Sequence, residues 1–489
     1  QHPKPRAGPV YIYFGGQKAD NLPDVSLRDK DEGGLFGWSV AGAGDLNGDG
    51  YDDVIVGVRR SYARGESGGR VYIYYGGLNM DDAPALTLTT GETFDGFGES
   101  IAGLGDVNGD GFADVAVGAY RGKKRGDPGK AYIYFGGKDM DNLPDLVLSA
   151  KSRFDWFGKS LAGAGDVNGD GLADIIVGAP CHRVDRRLVG QGYIYFGSPQ
   201  MDDLPDVILK TSSLRERLGW SVAGAGDLNG DGYDDVLVGA MKGRRRRREG
   251  LVQVYFGGPQ MDGRSDVTLN GQGAITWFTN SIAGVGDVNG DGFADVLVGS
   301  YCNPKAIQSP GLAYLYFGGS QMTSLPDVIL TKKEVSGWFA WTVAGGGDIN
   351  GDGKADVVIG ALKVGRGGIR QTYVYTTKGL SSQNGASTSP LPSTFDLGQN
   401  YPNPFNPRTT IPFQIPGVGG QMSVPTTLKI YNANGQVVRI LVDGEKGPGS
   451  YLAIWDGRND FGEEVSSGIY FYRLVSGDFI DSKKMALLR

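Results

Sequence analysis

Asp45-Leu46-Asn47-Gly48-Asp49-Gly50-Tyr51-Asp52-Asp53 reads DLNGDGYDD, and the same nine-residue pattern returns five more times along the chain. It recurs as DVNGDGFAD from Asp106, DVNGDGLAD from Asp166, DLNGDGYDD from Asp227, DVNGDGFAD from Asp287 and DINGDGKAD from Asp348. The steps are 60 or 61 residues throughout, so one structural unit is repeated six times. Around each copy lie four short runs rich in aromatic and β-branched residues and bounded by Gly, Asp, Asn or Pro. In the first unit they are Phe36 to Ala41, Val54 to Val56, Val71 to Tyr75 and Leu86 to Leu88, here termed strands A, B, C and D. No sustained 3.6-residue apolar period accompanies them, so helices have no obvious place in the repeat. Four strands per unit predict an all-β fold, a β-propeller with one four-stranded blade per repeat; a β-solenoid is the rival, but its coils are usually much shorter.

The ends of the array do not match evenly. Six A and six B strands are present, but C-type strands number seven, from VYIYF at Val10 to YVY at Tyr373. D-type strands start with VSL at Val25, ahead of the first A strand, and none follows Tyr375. A ring of six blades, the favoured reading over seven, would close with the N-terminal D strand completing the last blade. One C strand is then surplus: it caps an edge, belongs to an incomplete seventh blade, or pairs with another molecule.

Within the loop, oxygen side chains stand at positions 1, 3, 5 and 9, and the carbonyl at position 7 can turn inward. These positions are Asp45, Asn47, Asp49, Tyr51 and Asp53; Asp106, Asn108, Asp110, Phe112 and Asp114; and Asp166, Asn168, Asp170, Leu172 and Asp174. The last three copies supply Asp227, Asn229, Asp231, Tyr233 and Asp235; Asp287, Asn289, Asp291, Phe293 and Asp295; and Asp348, Asn350, Asp352, Lys354 and Asp356. Three carboxylates, an amide oxygen and a carbonyl, completed by water, make the hard six- or seven-oxygen shell of calcium, and the glycine at position 6 permits the sharp turn. An EF-hand would need a glutamate at position 12, where the first loop has Val56, and helices on both flanks. Magnesium suits such a flexible cage less well. About six Ca2+ ions are therefore expected, one per loop, bracing the A-B turns rather than serving as a ligand site. Without metal the clustered carboxylates repel one another and each turn loosens.

Composition narrows the chemistry. Of 489 residues 83 are glycine, too many for an ordinary domain and too irregularly placed for collagen. The only histidines are His2 and His182, which leaves little room for histidine bases or multi-histidine metal sites. Cys181 and Cys302 stand at equivalent positions two repeats apart, too distant for an easy bridge, and exclude a four-cysteine zinc site. No run approaches 18 apolar residues, so no membrane span is expected. Gln1 as first residue is what processing of a secreted precursor would leave, as would trimming of a longer chain.

The succession of FG, DxNGDGxxD, VGAP and VYIYFGG resembles the FG-GAP repeat of integrin α-subunit propellers and related bacterial surface proteins. Phe36-Gly37, Phe97-Gly98 and Phe157-Gly158 carry the first element and Val177-Gly178-Ala179-Pro180 the last, with departures at Leu218, Thr279 and Ala340. The resemblance covers about residues 9 to 376. It implies a propeller of which some loops bind calcium, and the family's seven blades bear on the count. The propeller is assigned to residues 1–377 and a Ser/Gly/Pro-rich linker to 378–394. Residues 395–489, with six strand-like runs and an Asn434-Gly435 turn, read as a small β-sandwich. This last part resembles the Ig-like domain of flagellar hook-capping proteins and the sorting domains of type IX secretion, through NYPNPFNP at Asn400 to Pro407, IYNANGQV at Ile430 to Val437, Trp455-Asp456-Gly457 and SGIYFYR at Ser467 to Arg473. That resemblance implies export to the cell surface or medium.

Alternating strand direction sends A-B and C-D loops to one face of the disc and B-C and D-A loops to the other. The six B-C loops hold 22 of the 48 basic residues, including the run Arg244 to Arg248, against few acids. The opposite face gathers the calcium loops with Asp141, Asp145, Asp202, Asp203, Asp206, Asp262 and Asp266. Residues 1–377 carry a net charge of −8, which six calcium ions would turn into +4. Opposite faces of opposite sign suit head-to-tail stacking or recruitment of a polyanion, or simply keep the protein soluble. Trp38, Trp220 and Trp341 recur at one A-strand position and are read as packing residues; Trp156, Trp277 and Trp338, nearer the loop face, are the better candidates for a glycan contact.

Three functions follow in order. The first is a secreted, non-enzymatic cell-surface structural protein that self-assembles into a homo-oligomer or filament. The second is an adhesin or lectin binding an acidic glycan or other polyanion on the basic face, with nucleic acid not expected as a partner. An enzyme comes last, because the recognisable carboxylate clusters are committed to calcium.

Overall fold

The computed structural model describes all residues except 1–7, 17–21, 30–33, 61–67, 79, 93–94, 122–125, 151, 186, 212–215, 243–248, 272–276, 302–310, 321, 332–337, 363–369, 377–394, 401–402, 406–407, 417–423, 447–448, 478 and 489. The linker, Cys302, the arginine run Arg244 to Arg248 and much of the basic B-C loops lie outside the described residues. Every regular element described is a strand.

Chain order begins with β1 (Val10–Ile12) and β2 (Val25–Leu27). Repeat 1 comprises β3 (Gly34–Gly44), β4 (Asp53–Arg60), β5 (Arg70–Tyr74) and β6 (Leu86–Leu88). Repeat 2 comprises β7 (Ser100–Gly105), β8 (Asp114–Ala119), β9 (Lys130–Tyr134) and β10 (Leu146–Ser149). In repeat 3, β11 (Ser160–Gly165) and β12 (Asp174–Ala179) are followed by a small hairpin, β13 (Arg183–Val184) and β14 (Arg187–Leu188), before β15 (Gln191–Tyr195) and β16 (Val207–Leu209). Repeat 4 is β17 (Leu218–Gly226), β18 (Asp235–Lys242), β19 (Glu249–Tyr255) and β20 (Val267–Asn270). Repeat 5 is β21 (Trp277–Gly286), β22 (Asp295–Tyr301), β23 (Leu312–Tyr316) and β24 (Val328–Thr331), and repeat 6 is β25 (Trp338–Gly347), β26 (Asp356–Leu362) and β27 (Arg370–Tyr375).

Each of repeats 1 to 5 is a four-stranded antiparallel sheet in the order A-B-C-D, and repeat 6 is a three-stranded one. The A strands pack on one another in sequence, β3 on β7, β7 on β11, β11 on β17, β17 on β21 and β21 on β25, which places them innermost. These are the blades of a β-propeller. The B strands carry the core: all six residues of β8 and of β12 are buried, because both faces of each sheet meet a neighbouring sheet. Apolar clusters accordingly run between repeats, as where Val107 and Ala131 of repeat 2 pack with Ile175, Val177 and Tyr195 of repeat 3.

The closing strand differs from expectation. β2 does not complete the sheet of repeat 6; it pairs with β1 (Val10 opposite Leu27), and the two form a separate sheet. The C and D runs ahead of the first repeat have a strong local tendency to pair with each other across one short connection, which a distant partner would have to overcome.

The second compact unit contains β28 (Asp396–Leu397), β29 (Thr409–Ile415), β30 (Val424–Tyr431), β31 (Val437–Lys446), β32 (Gly449–Trp455), β33 (Gly468–Ser476) and β34 (Phe479–Leu487). Two sheets, β28-β29-β32 and β31-β30-β33-β34, enclose Ile411, Phe413, Leu428, Trp455, Tyr472 and Met485, an Ig-like sandwich. Its sequence motifs lock the unit together: the Asn400 amide N–H donates to Tyr472 Oη at 2.8 Å, and that hydroxyl donates to the Gly398 carbonyl at 2.9 Å. Asn400 Nδ2 donates to Thr409 Oγ1, and the Phe405 ring packs on Trp455.

Candidate functional site

The A-B turns of repeats 1 to 5 share one construction, and that of repeat 6 departs from it. In repeat 2 the carboxylate of Asp106 accepts backbone N–H groups from Gly109 at 2.6 Å, Asp110 at 3.2 Å and Gly111 at 2.8 Å. Asn108 accepts the Asp110 N–H through Oδ1 and donates from Nδ2 to Asp110 Oδ2 at 2.9 Å. Both glycines of the turn have positive φ, 79° at Gly109 and 89° at Gly111, where a side chain would be strained. Positions 1, 3 and 5 are thereby gathered at the exposed tip. Repeats 1, 3, 4 and 5 repeat the arrangement, as Asp45 does with Gly48, Asp49 and Gly50. In repeat 6 the amide of Asn350 turns instead to Asp356, at 3.1 Å and 3.2 Å, while Lys354 Nζ donates to the Asn289 carbonyl of the preceding turn at 2.8 Å.

Position 9 does different work. Asp114 is fully buried and accepts two backbone N–H groups, from Val107 at 2.8 Å and from Gly136 at 2.8 Å, tying the turn to the end of strand C. Asp53, Asp174, Asp235 and Asp295 do the same. Burial pushes the carboxyls of Asp114, Asp174, Asp235 and Asp295 up to about 7; the backbone donors oppose this, and the two other aspartates of each turn add to it. A divalent cation at the turn would reverse that balance.

The donor chemistry, all hard oxygen with three carboxylates per turn, fits calcium. As the side chains stand, their oxygens are engaged by backbone N–H groups, and among the described residues no three acidic, histidine or cysteine side chains converge closely enough to hold an ion.

The turns are also joined to one another. The N–H at position 8 donates to the carbonyl at position 1 of the preceding turn: Ala113 to Asp45, Ala173 to Asp106, Asp234 to Asp166, Ala294 to Asp227 and Ala355 to Asp287, at 2.9 to 3.1 Å. The third residue after strand C reaches back in the same way, Gly137 to Leu46, Ser198 to Val107, Gly258 to Val167 and Gly319 to Leu228. A second row of joints crosses the B strands. Ser39 Oγ donates to the Gly98 carbonyl at 2.8 Å, Ser100 to Gly158 at 2.8 Å, Ser160 to Gly219 at 3.1 Å and Ser221 to the Thr279 carbonyl at 2.8 Å. A Cβ on Gly118 would lie 2.2 Å from the Gly158 carbonyl oxygen, so the two repeats approach each other through bare backbone. Neither the serine joint nor the backbone duty of position 9 was read from the sequence; the recurring Ser in SVAG, SIAG and SLAG was the available signal.

The glycine of the FG element has a φ of 72° at Gly37, 76° at Gly98, 77° at Gly158 and 84° at Gly219. Where the sequence departs from it, Thr279 and Ala340 adopt the same left-handed backbone, at 79° and 59°. The C-D acids serve the hairpins: Asp145, Asp206, Asp266 and Asp327 each accept the N–H that follows strand C, at 2.8 Å. They are turn residues first and surface charge second.

At the inner strands, Lys159, Trp220 and Asn280 line a recess with Ser100, Leu161 and Ile282. Burial lowers the Lys159 amine despite the neighbouring Glu99. Trp38 lies half exposed under the Arg59 guanidinium at 4.3 Å, and Trp341 is stacked on Trp338 at 4.8 Å. Trp156 packs edge-on against Tyr120 at 5.6 Å, and the side chain of Trp277 lies outside the described residues. His182 is held by Asp155 at 2.9 Å, and burial pushes the adjacent Cys181 thiol up to about 11, the opposite of an activated nucleophile.

Blades joined turn to turn around inner strands, with an Ig-like sandwich following, define a repeat propeller of the FG-GAP kind. Residues 36–74, 97–134, 157–196 and 218–255 match the FG-GAP repeat, residues 287–359 match the FG-GAP-like repeat, and residues 419–478 match the FlgD Ig-like domain. The chain thus carries FG-GAP repeats with integrin α relatives, followed by a FlgD Ig-like domain. It is 34% identical over 218 residues to integrin alpha-5 of Xenopus laevis (42% of this chain, 20% of the relative). Identity to integrin alpha-7 of Rattus norvegicus is 38% over 183 residues (36% and 16%), and to integrin alpha-8 of Mus musculus 30% over 253 residues (49% and 22%). The chain therefore spans about a fifth of the length of these relatives. Among solved structures, PorZ, described as an essential bacterial surface component of the type-IX secretion system of Porphyromonas gingivalis, aligns with a TM-score of 0.34 and 13% identity over 96% of this chain and 61% of its own.

Proposed function

We propose that the protein is an exported cell-surface protein that acts by binding rather than catalysis, with a propeller braced by calcium and able to associate with further copies of itself. The single observation that carries calcium is the buried aspartate at position 9. In the same turn as Asp114, backbone N–H groups gather Asp106, Asn108 and Asp110 at the tip, so three carboxylates and an amide oxygen share one loop. The ion at each turn would be held by positions 1, 3, 5, 7 and 9: Asp106, Asn108, Asp110, the Phe112 carbonyl and Asp114 in repeat 2, and their equivalents elsewhere. Because each turn bonds to the one before it, an ion in one turn stiffens its neighbour as well. Surface location is supported by the integrin α relatives and the FlgD Ig-like domain.

Light scattering and negative-stain microscopy of concentrated protein in calcium test association: oligomers or filaments are expected, and a monodisperse monomer overturns that part of the reading. A second reading, binding of an acidic glycan, is favoured by the recess at Lys159, Trp220 and Asn280. A glycan array with a salt titration tests it, binding that weakens as salt rises being the expected result and no binding the contrary one.

A further inference from the structure

The joint between consecutive repeats is made four times in full, in repeats 2 to 5, and then appears as two separated halves. In repeats 2 to 5 the first residue after the strand C aromatics is wedged between two carbonyls. A Cβ on Gly136 would lie 2.1 Å from Ala113 O of its own repeat and 2.8 Å from Leu46 O of the preceding one. Gly197, Gly257 and Gly318 show the same pair of approaches. At Gly15, just past β1, only the preceding-turn half exists: Ile349 O of repeat 6 is 2.9 Å away, and Gly16 N–H donates to that carbonyl at 2.8 Å. At Gly76 of repeat 1 only the own-repeat half exists, with Asp52 O at 2.3 Å. The sheet β1-β2 therefore occupies the position that follows repeat 6 and precedes repeat 1. It is a blade with its C and D strands and without A and B.

The surfaces that an A-B hairpin would cover are bare. Val40 on β3 is 56% exposed, whereas Ile101 and Leu161 at the same A-strand position are 9% and 7% exposed. Tyr13 is 53% exposed, against 1% for Tyr74 and Tyr134. On the other side, an added Cβ at Gly347 or Gly351 meets nothing within 4 Å among the described residues, while the equivalents Gly44 and Gly48 face Ala113 and Phe112 of the next turn. Along β1 the Ile12 carbonyl accepts the Asp24 N–H on the D side. By strand alternation Tyr11 and Tyr13 direct their N–H and C=O groups to the opposite edge, where strand B would lie.

We propose that this slot between repeat 6 and repeat 1 is a docking site for one β-hairpin of the repeat's own A-B type. Its inner strand would have the pattern FGxS-apolar-AG and would set an apolar side chain against Val40. Its DxNGDGxxD turn would accept Gly77, as Leu46 accepts Gly137, and would donate to Asp348 O, as Ala113 donates to Asp45 O. The outer strand pairs with β1 through Tyr11 and Tyr13. The six A-B hairpins of these 489 residues are all built into repeats 1 to 6, so the occupant is a seventh hairpin and not a displaced one.

The test adds a synthetic peptide of residues 97–119, the A-B hairpin of repeat 2, to the full chain in calcium. In parallel, the same segment is joined ahead of Gln1 through a short linker. Hydrogen exchange at Tyr11, Tyr13 and β3 and the melting temperature are measured. Expected are at least tenfold slower exchange at Tyr11 and Tyr13 and a higher melting temperature with the hairpin, and neither with an Ile101→Asp version of it. No protection in either format overturns the proposal. So does protection of these amides in the unmodified chain as its concentration rises, which would assign the slot to a second copy.

Discussion

The joint between repeats 2 and 3 and the gap between repeats 6 and 1 are built from the same sequence motifs and end up in opposite states. At the first, Ser100 reaches the Gly158 carbonyl, Ala173 reaches Asp106, and Leu161 is buried against the preceding inner strand. At the second, the nearest described atoms to a Cβ on Gly360 all belong to Thr342 of its own sheet, while Val40 is 56% exposed. Motifs that look alike in the sequence are thus worth different amounts, because nearly all of their energy lies in what the next blade brings to them.

The largest expected contrast comes from truncating the inner apolar residue. Leu161→Ala should cost about 3 kcal/mol, through lost burial and the cavity left behind, and Val40→Ala less than about 0.5 kcal/mol. Chemical denaturation of both variants checks this, and equal losses would mean that the gap is closed in solution. Next is the backbone approach. Gly118→Ala forces a methyl toward the Gly158 carbonyl and should cost about 2 kcal/mol, whereas Gly360→Ala can be relieved by rotation of Thr342 and should cost under about 1 kcal/mol. Smallest, and opposite in sign, is Thr279→Gly. It relieves left-handed strain and removes a buried hydroxyl that has no hydrogen-bond partner among the described residues, and should raise stability by about 1 kcal/mol in the same denaturation assay.

Much of this was legible in the sequence because the turn residues obey local rules. The DxNGDG pattern needs its glycines where φ is positive and its aspartates where N–H groups are free, so strand order and repeat length followed from it directly. The Asn400 and Trp455 motifs likewise announced the Ig-like sandwich. What could not be read were properties that belong to two repeats at once. Gly118 in AVGA and Ser100 in ESIA look like ordinary strand residues until the neighbouring Gly158 carbonyl is placed beside them. Position 9 was read purely as a metal ligand, yet Asp114 also ties Val107 to Gly136, and the C-D aspartates read as an acidic face turned out to close their own hairpins. The closure was misjudged for the same reason. Counting strands assigned β2 to the last repeat, whereas its pairing with β1 is decided by contact order and by the grip of Ile349 on Gly16.

The central claim is that turns built for divalent cations hold the blades to one another. It is tested most directly by thermal unfolding of the full chain in millimolar calcium and again after removal of the metal by a chelator. The account predicts a melting temperature lower by 10 °C or more without calcium, on the order of several kcal/mol shared among the turns, with restoration on adding calcium back. An unchanged melting temperature would contradict it and leave those aspartates to the backbone N–H groups and the asparagine amides of their own turns.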